Sequence, residues 1–157
     1  MQGKYFSFGA TSAVITGLAV IIGLSRTANP VIGITTALVV IAIADNISDS
    51  FGIHIHQESQ KESVKEVRKT TFTNFVTRIA VVSIFVLLVI LLPMKVAAAL
   101  SIFFGMAVIS VISYFIAKNQ KAKPHKIVFQ HLLITLLVIL GSYLLSEASA
   151  GLIAKFA

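Results

Sequence analysis

Apolar residues run along this chain in five long blocks, and polar residues gather in the short stretches between them. A helix needs about 20 predominantly apolar residues to cross a bilayer core. The first block runs from about Tyr5 to Leu24 and stops at Arg26-Thr27-Ala28-Asn29-Pro30. Asn-Pro is a turn signal, and proline suits the first turn of the helix that follows. The second block starts at Val31 and stays apolar to about Ile55. The third is purely apolar from Ile79 to Leu92, but Phe72, Phe75 and Val76 precede it at helical spacing and move its start towards Thr73. Pro93-Met94-Lys95 then makes a tight turn. The fourth block covers Val96 to Ala117, and the fifth covers Ile127 to Leu145 with a small-residue tail. The pattern predicts an all-α integral membrane protein. Its single transmembrane domain fills 1–157, with helices over about 5–25, 31–56, 73–92, 96–117 and 127–146.

Between the second and third blocks lies Gln57–Thr71, QESQKESVKEVRKTT. Glu58, Glu62 and Glu66 are spaced by four, as are Lys61, Lys65 and Lys69. Glu-to-Lys pairs three apart support a helix by about 0.2–0.5 kcal/mol each. The spacing predicts that the second helix continues beyond the membrane to about residue 70. Two readings of this stretch stand side by side: a solvated helix face, and a short metal-collecting stalk built on Glu62 and Glu66.

Composition agrees with the pattern. Hydrophobic residues make up 57% of the chain and charged residues 12%, against about 25% charged in a soluble domain. The mean hydropathy is +0.94. With no cysteine, disulfides and thiolate metal sites are excluded. The first apolar run does not have the form of a cleavable signal peptide.

Charge adds an orientation. Ten basic residues fall on the side of the N-terminus and the second and fourth connections: Lys4, Lys61, Lys65, Arg68, Lys69, Arg78, Lys118, Lys121, Lys123 and Lys126. Arg26, Lys95 and Lys155 fall on the other. The positive-inside rule then puts the N-terminus in the cytoplasm and the C-terminus outside. The net charge of +7 is explained by these flanking residues. No basic patch interleaved with aromatics points to nucleic acid.

The candidate chemistry sits on the second helix. Five of the six acidic residues lie between positions 45 and 66, and an ionisable group inside a span is by default a functional-site hypothesis. At about 100° per residue, Asp45, Asp49, Gly52 and His56 fall on one stripe, with Asn46 beside it and His54 opposite. Two carboxylates and an imidazole suit divalent iron, manganese or zinc. Asp45 lies roughly 22 Å along the helix from Pro30, inside a core about 30 Å thick. Ser12 of the first helix reaches a similar depth. Glu58 stands at the cytoplasmic mouth. Asn46 or Ser12 could instead hold Asp45 in a plain helix-packing bond. Ala13 and Gly17 give the first helix a smooth edge towards the second. His131 is read as a packing or capping residue, and Ser101, Gly105, Ser110 and Ser113 as helix-packing positions. No P-loop, triad or zinc-protease motif is present, so no enzyme activity is expected.

The stretches FGATSAVITGLAVIIGLS, IADNISDSFG and Leu132–Phe156 resemble the first, second and last helices of the vacuolar iron transporter family. The second stretch is similar to that family's Ala-Asp-Gly-x-Ser-Met-x-x-Gly pattern. Asp45 matches its aspartate. Ser12 stands where the family carries a first-helix aspartate, Asp49 where it carries methionine, and Ile53 where it has an acidic or amide residue. The family's cytoplasmic metal-binding region is here reduced to the Glu58–Lys69 stretch. The resemblance implies five spans, a homodimer with its pore between subunits, and exchange of protons for ferrous iron or manganese.

The sequence thus leads to a divalent-cation transporter in a lipid bilayer, coupled to protons. The metal is its cargo, and no cofactor is permanently bound. The membrane would be a prokaryotic cell membrane, or an organelle membrane in a eukaryote. Two alternatives stand: a transporter or channel for another substrate on the same scaffold, and a non-transporting membrane scaffold or partner subunit.

Overall fold

A computed structural model describes residues 3–153, with side chains over 7–152; Lys155 and Phe156 lie outside the described residues. Five helices follow one another: α1 Gly3–Leu24, α2 Pro30–Ser59, α3 Val64–Leu91, α4 Met94–Asn119 and α5 Pro124–Ile153. All five are long and apolar enough to cross a membrane. The chain is a multi-pass membrane protein of the predicted all-α class.

Proline marks three helix starts. Pro30 opens α2, Pro93 precedes α4 and Pro124 opens α5. Each lacks the backbone donor that a first turn leaves unused anyway.

The second helix does not run on to residue 70. It ends at Ser59, and a four-residue turn leads into α3 at Val64. Lys61 takes a left-handed backbone (φ 55°). Its N–H donates to the Glu58 carbonyl at 2.9 Å, and the Glu62 N–H donates to Gln57 at 3.2 Å. This is a Schellman ending, usually built on glycine. Ser63 then caps α3 by accepting from the Glu66 N–H. The Ser-x-x-Glu spacing of Ser63 and Glu66 was the signal for a helix start. The periodic charges around it masked the break. The α4–α5 connection uses the same turn: Lys121 is left-handed (φ 53°), and Ala122 donates to the Ala117 carbonyl at 3.0 Å.

The α1 helix lies at the centre and packs on the other four, while α2 leans mainly on α3, and α5 on α4 and α1. Ala13, Val14, Leu18 and Ile21 of α1 are buried among Leu38, Phe85, Val89, Ala97 and Ile109. Phe85 meets Phe104 edge to face, their centroids 5.5 Å apart. The smooth edge of α1 faces α3 rather than α2. A Cβ on Gly17 would sit 2.6 Å from the Phe85 ring, so only glycine admits that ring. Outward positions such as Ile32, Phe103, Phe129 and Leu145 are large and apolar, while the buried set includes Asn46, Gln57, Asn74, Arg78, Ser101 and Thr135. Small and polar groups inside with apolar groups outside is the arrangement lipid favours.

At the end of the bundle where α1 meets α2, Arg26 pairs with Glu147 of α5 and stacks on Tyr143, 4.7 Å from its centroid. The hydrogen bond from Arg26 to Glu147 raises the guanidinium pKa above its ordinary value. Both side chains are more than half or about half exposed, so the pair adds little stability.

Candidate functional site: one arginine between two aspartates

Asp45 and Asp49 lie one turn apart on α2, and the group they meet is Arg78 of α3. The guanidinium donates through one terminal nitrogen to Asp45 Oδ2 and through the other to Asp49 Oδ2. The nitrogen that serves Asp49 also donates to Ser12 Oγ of α1 at 2.9 Å. Ser12 Oγ lies 3.4 Å from Asp49 Oδ2. Three helices therefore meet at one cation. An arginine stays charged in any protein environment, so with both carboxylates ionised the cluster carries one net negative charge.

The two sides of the cluster differ. The Arg78 side chain is 2% exposed, whereas Asp45 is 43% and Asp49 28% exposed. The arginine forms the wall towards the bundle, and the carboxylates open onto the outer face of α2. That face also carries Ala44, Ile47, Ser48, Phe51 and Gly52. Gly52 has nothing within 4 Å of where a Cβ would stand.

Behind the cluster the α2–α3 seam is polar almost to its tip. Asn46 is fully buried and donates to the Phe75 carbonyl at 2.9 Å. Ser50 Oγ lies 3.5 Å from Asn46 Oδ1 and accepts from Asn74 Nδ2 at 3.2 Å. Gln57 donates to Glu62 at 2.8 Å and accepts from Thr70. Buried amides and hydroxyls paired in this way hold two helices in register inside a membrane.

The expected constellation is partly reassembled. Ser12 stands beside Asp49 and bonds Arg78 rather than Asp45. Asn46 turns away from the aspartates to staple α2 to α3. His56 is exposed two turns further on, apart from the pair. Glu58 sits 3.3 Å from His54. Glu62 lies in the turn and serves Gln57, while Glu66 lies in the first turn of α3. Glu58, Glu62 and Glu66 share no helix face, because the chain reverses between them. Among the described residues, no three His, Cys, Asp or Glu side chains come together as a metal cage. Within one chain, a cation would have the two aspartates and the Ser12 hydroxyl.

The residue that sequence reasoning missed is Arg78, which it placed in a cytoplasmic connection. The signal was the turn. Asp45 stands 15 residues before Gln60, and Arg78 stands 15 after Ser63. In an antiparallel hairpin, equal rises put the two at one level.

Between α1, α4 and α5, a cavity of about 160 Å³ is bounded by Thr11, Ile109, Ser113, His131 and Thr135 among others. His131 Nδ1 lies 2.7 Å from Ser113 Oγ, and its ring packs α5 on α4. No protein-family model, curated protein or solved structure matches the chain.

Proposed function

We propose that the chain moves a divalent cation, ferrous iron or manganese, across its membrane in exchange for protons, with Asp45 and Asp49 as the exchange site. The observation that carries this reading is the half-open carboxylate pair: Arg78 closes one side, and the other side opens onto the exposed outer face of α2, while α2 packs mainly on α3 among the described residues. A charged aspartate facing lipid costs about 2.5–3.5 kcal/mol. Such a face is better placed against a second copy of the chain or a hydrated path.

Two copies related by a two-fold axis would bring two net negative clusters towards each other. Like charges repel, and one doubly charged ion between them brings the sum to zero. Oxygen donors suit manganese and ferrous iron better than soft copper. Protonation of the aspartates would release the ion and load the return proton. Ser12 would supply a further oxygen, while His56 and Glu58 would stand at the mouth, cytoplasmic by the charge distribution. The resemblance to vacuolar iron transporters points the same way.

Purified protein in liposomes is expected to carry manganese inward or outward against a proton gradient. The Asp45→Asn/Asp49→Asn variant is expected to lose at least nine-tenths of that flux. Undiminished flux in the variant, or none in the wild type, would refute the proposal.

A second reading has its own observation: Arg78 already engages both carboxylates and Ser12. On that reading the cluster is a fixed lock in a non-transporting membrane protein. It predicts that the same double variant loses stability, while the wild type binds no divalent ion.

A further inference from the structure

Asn74 is fully buried, yet its Oδ1 accepts no hydrogen bond among the described residues. A buried acceptor without a donor is costly, and a native one calls for an explanation. Asn74 lies four residues before Arg78 on α3, one turn away on the same face. Long side chains on a helix lean back towards its N-terminus, so the Arg78 stem leans towards Asn74. The two also share one gap. A Cβ on Gly9 of α1 would fall 2.7 Å from Asn74 Oδ1 and 3.4 Å from Arg78 Cγ. The absence of a side chain at Gly9 keeps room for both.

We propose that Arg78 is a tethered competitor for the transported cation, with two resting places. In the first it occupies Asp45 and Asp49. In the second it withdraws one turn to Asn74 Oδ1, keeping Ser12 as its pivot, and leaves the carboxylates to the cargo. This rests on the reading of the aspartates as a cation site.

The device follows from the chemistry of arginine. The guanidinium cannot lose its proton, so it leaves the carboxylates only if another acceptor receives it. Ser12 Oγ and Asn74 Oδ1 are such acceptors, one already bonded and one waiting. The exchange also selects by charge. A monovalent ion that displaces Arg78 replaces one positive charge by one, with no Coulomb gain. A divalent ion adds a charge to a net negative site, and that gain drives the exchange. Arg78 is thus a specificity-determining residue that excludes sodium and potassium.

The test uses the purified full-length chain in nanodiscs, with manganese binding followed by electron paramagnetic resonance. Asn74→Leu leaves the ion-paired cluster intact but removes the second resting place. It is expected to weaken manganese binding at least tenfold, an effect that a mere packing role for Asn74 would not give. Arg78→Gln is expected to bind manganese at least tenfold more tightly and to admit sodium as a competitor. Manganese binding that is unchanged in Asn74→Leu overturns the proposal but leaves the cation site standing. Absence of manganese binding in the wild type and in Arg78→Gln removes both.

A metal-free arm covers the case in which Arg78→Gln does not fold. The chain has three arginines, Arg26, Arg68 and Arg78, so selective nitrogen-15 labelling gives three side-chain signals. In Asp45→Asn/Asp49→Asn the Arg78 signal is expected to move, and to move again when Asn74→Leu is added. A signal indifferent to Asn74→Leu in that background overturns the second resting place.

Discussion

Replacing Arg78 by methionine keeps the stem and removes the charge. Two carboxylates are then left one turn apart against a buried wall, without their shared donor. Breaking a buried ion pair by removing one partner costs about 3–5 kcal/mol. Asp45 and Asp49 are 43% and 28% exposed, so part of that cost is relieved if their open sides meet the hydrated path proposed for the α2 face. The expected loss therefore lies at the lower end, about 3 kcal/mol. Removing all three charges has the opposite sign. Apolar replacements for a whole buried ion cluster are often neutral or stabilising by about 1–4 kcal/mol. Asp45→Leu/Asp49→Leu/Arg78→Met is therefore expected to be at least as stable as the wild type, although inactive. The assay is unfolding by SDS in mixed micelles, followed by circular dichroism, since the chain has neither tryptophan nor cysteine to report on it. A single variant within about 1 kcal/mol of wild type would refute the argument that Arg78 closes the inner wall of the site. A triple variant as unstable as the single one would show that packing of the arginine stem, rather than charge, decides the outcome.

Three further outcomes are read in the same assay, beside the flux loss expected for Asp45→Asn/Asp49→Asn. Gly9→Ala would put a methyl 2.9 Å from the Asn74 backbone oxygen and is expected to cost about 1–3 kcal/mol, as overpacking does. Asn46→Leu removes the hydrogen bond to the Phe75 carbonyl and is expected to cost about 1 kcal/mol, in the range of hydrogen bonds between membrane helices. Lys61→Gly relieves the left-handed backbone at φ 55° and is expected to stabilise the chain by about 0.5–1 kcal/mol; a loss instead would mean that the lysine side chain itself holds the turn.

Hydropathy alone was enough to find the five helices, because in lipid a chain must satisfy its own backbone donors and acceptors, and a single helix does so without help from distant residues. The same holds for the start of α2 at Pro30 and for the stripe of Asp45 and Asp49, which needs only the pitch of α2. What the tertiary structure decided was the company these residues keep. The turn at Gln60–Ser63 sets the register of α3 against α2, and that register brings Arg78 to Asp45 and Asp49. In the sequence, Glu62 and Glu66 read as a charged stalk on an extended second helix, and Arg78 as one more basic residue flanking a span. Folded back, the first two mark a tip and the third is a buried counter-charge. The side of Asn46 was open for a similar reason: its position at the edge of the stripe fits either neighbour, and only the packing of α3 turns it inward. A side chain's position on its own helix is a local property, set by 1.5 Å and 100° per residue. The sign and distance of the charge facing it are not local, and they decide whether Asp45 and Asp49 stand as an open anionic site or as one already half filled by the protein's own cation.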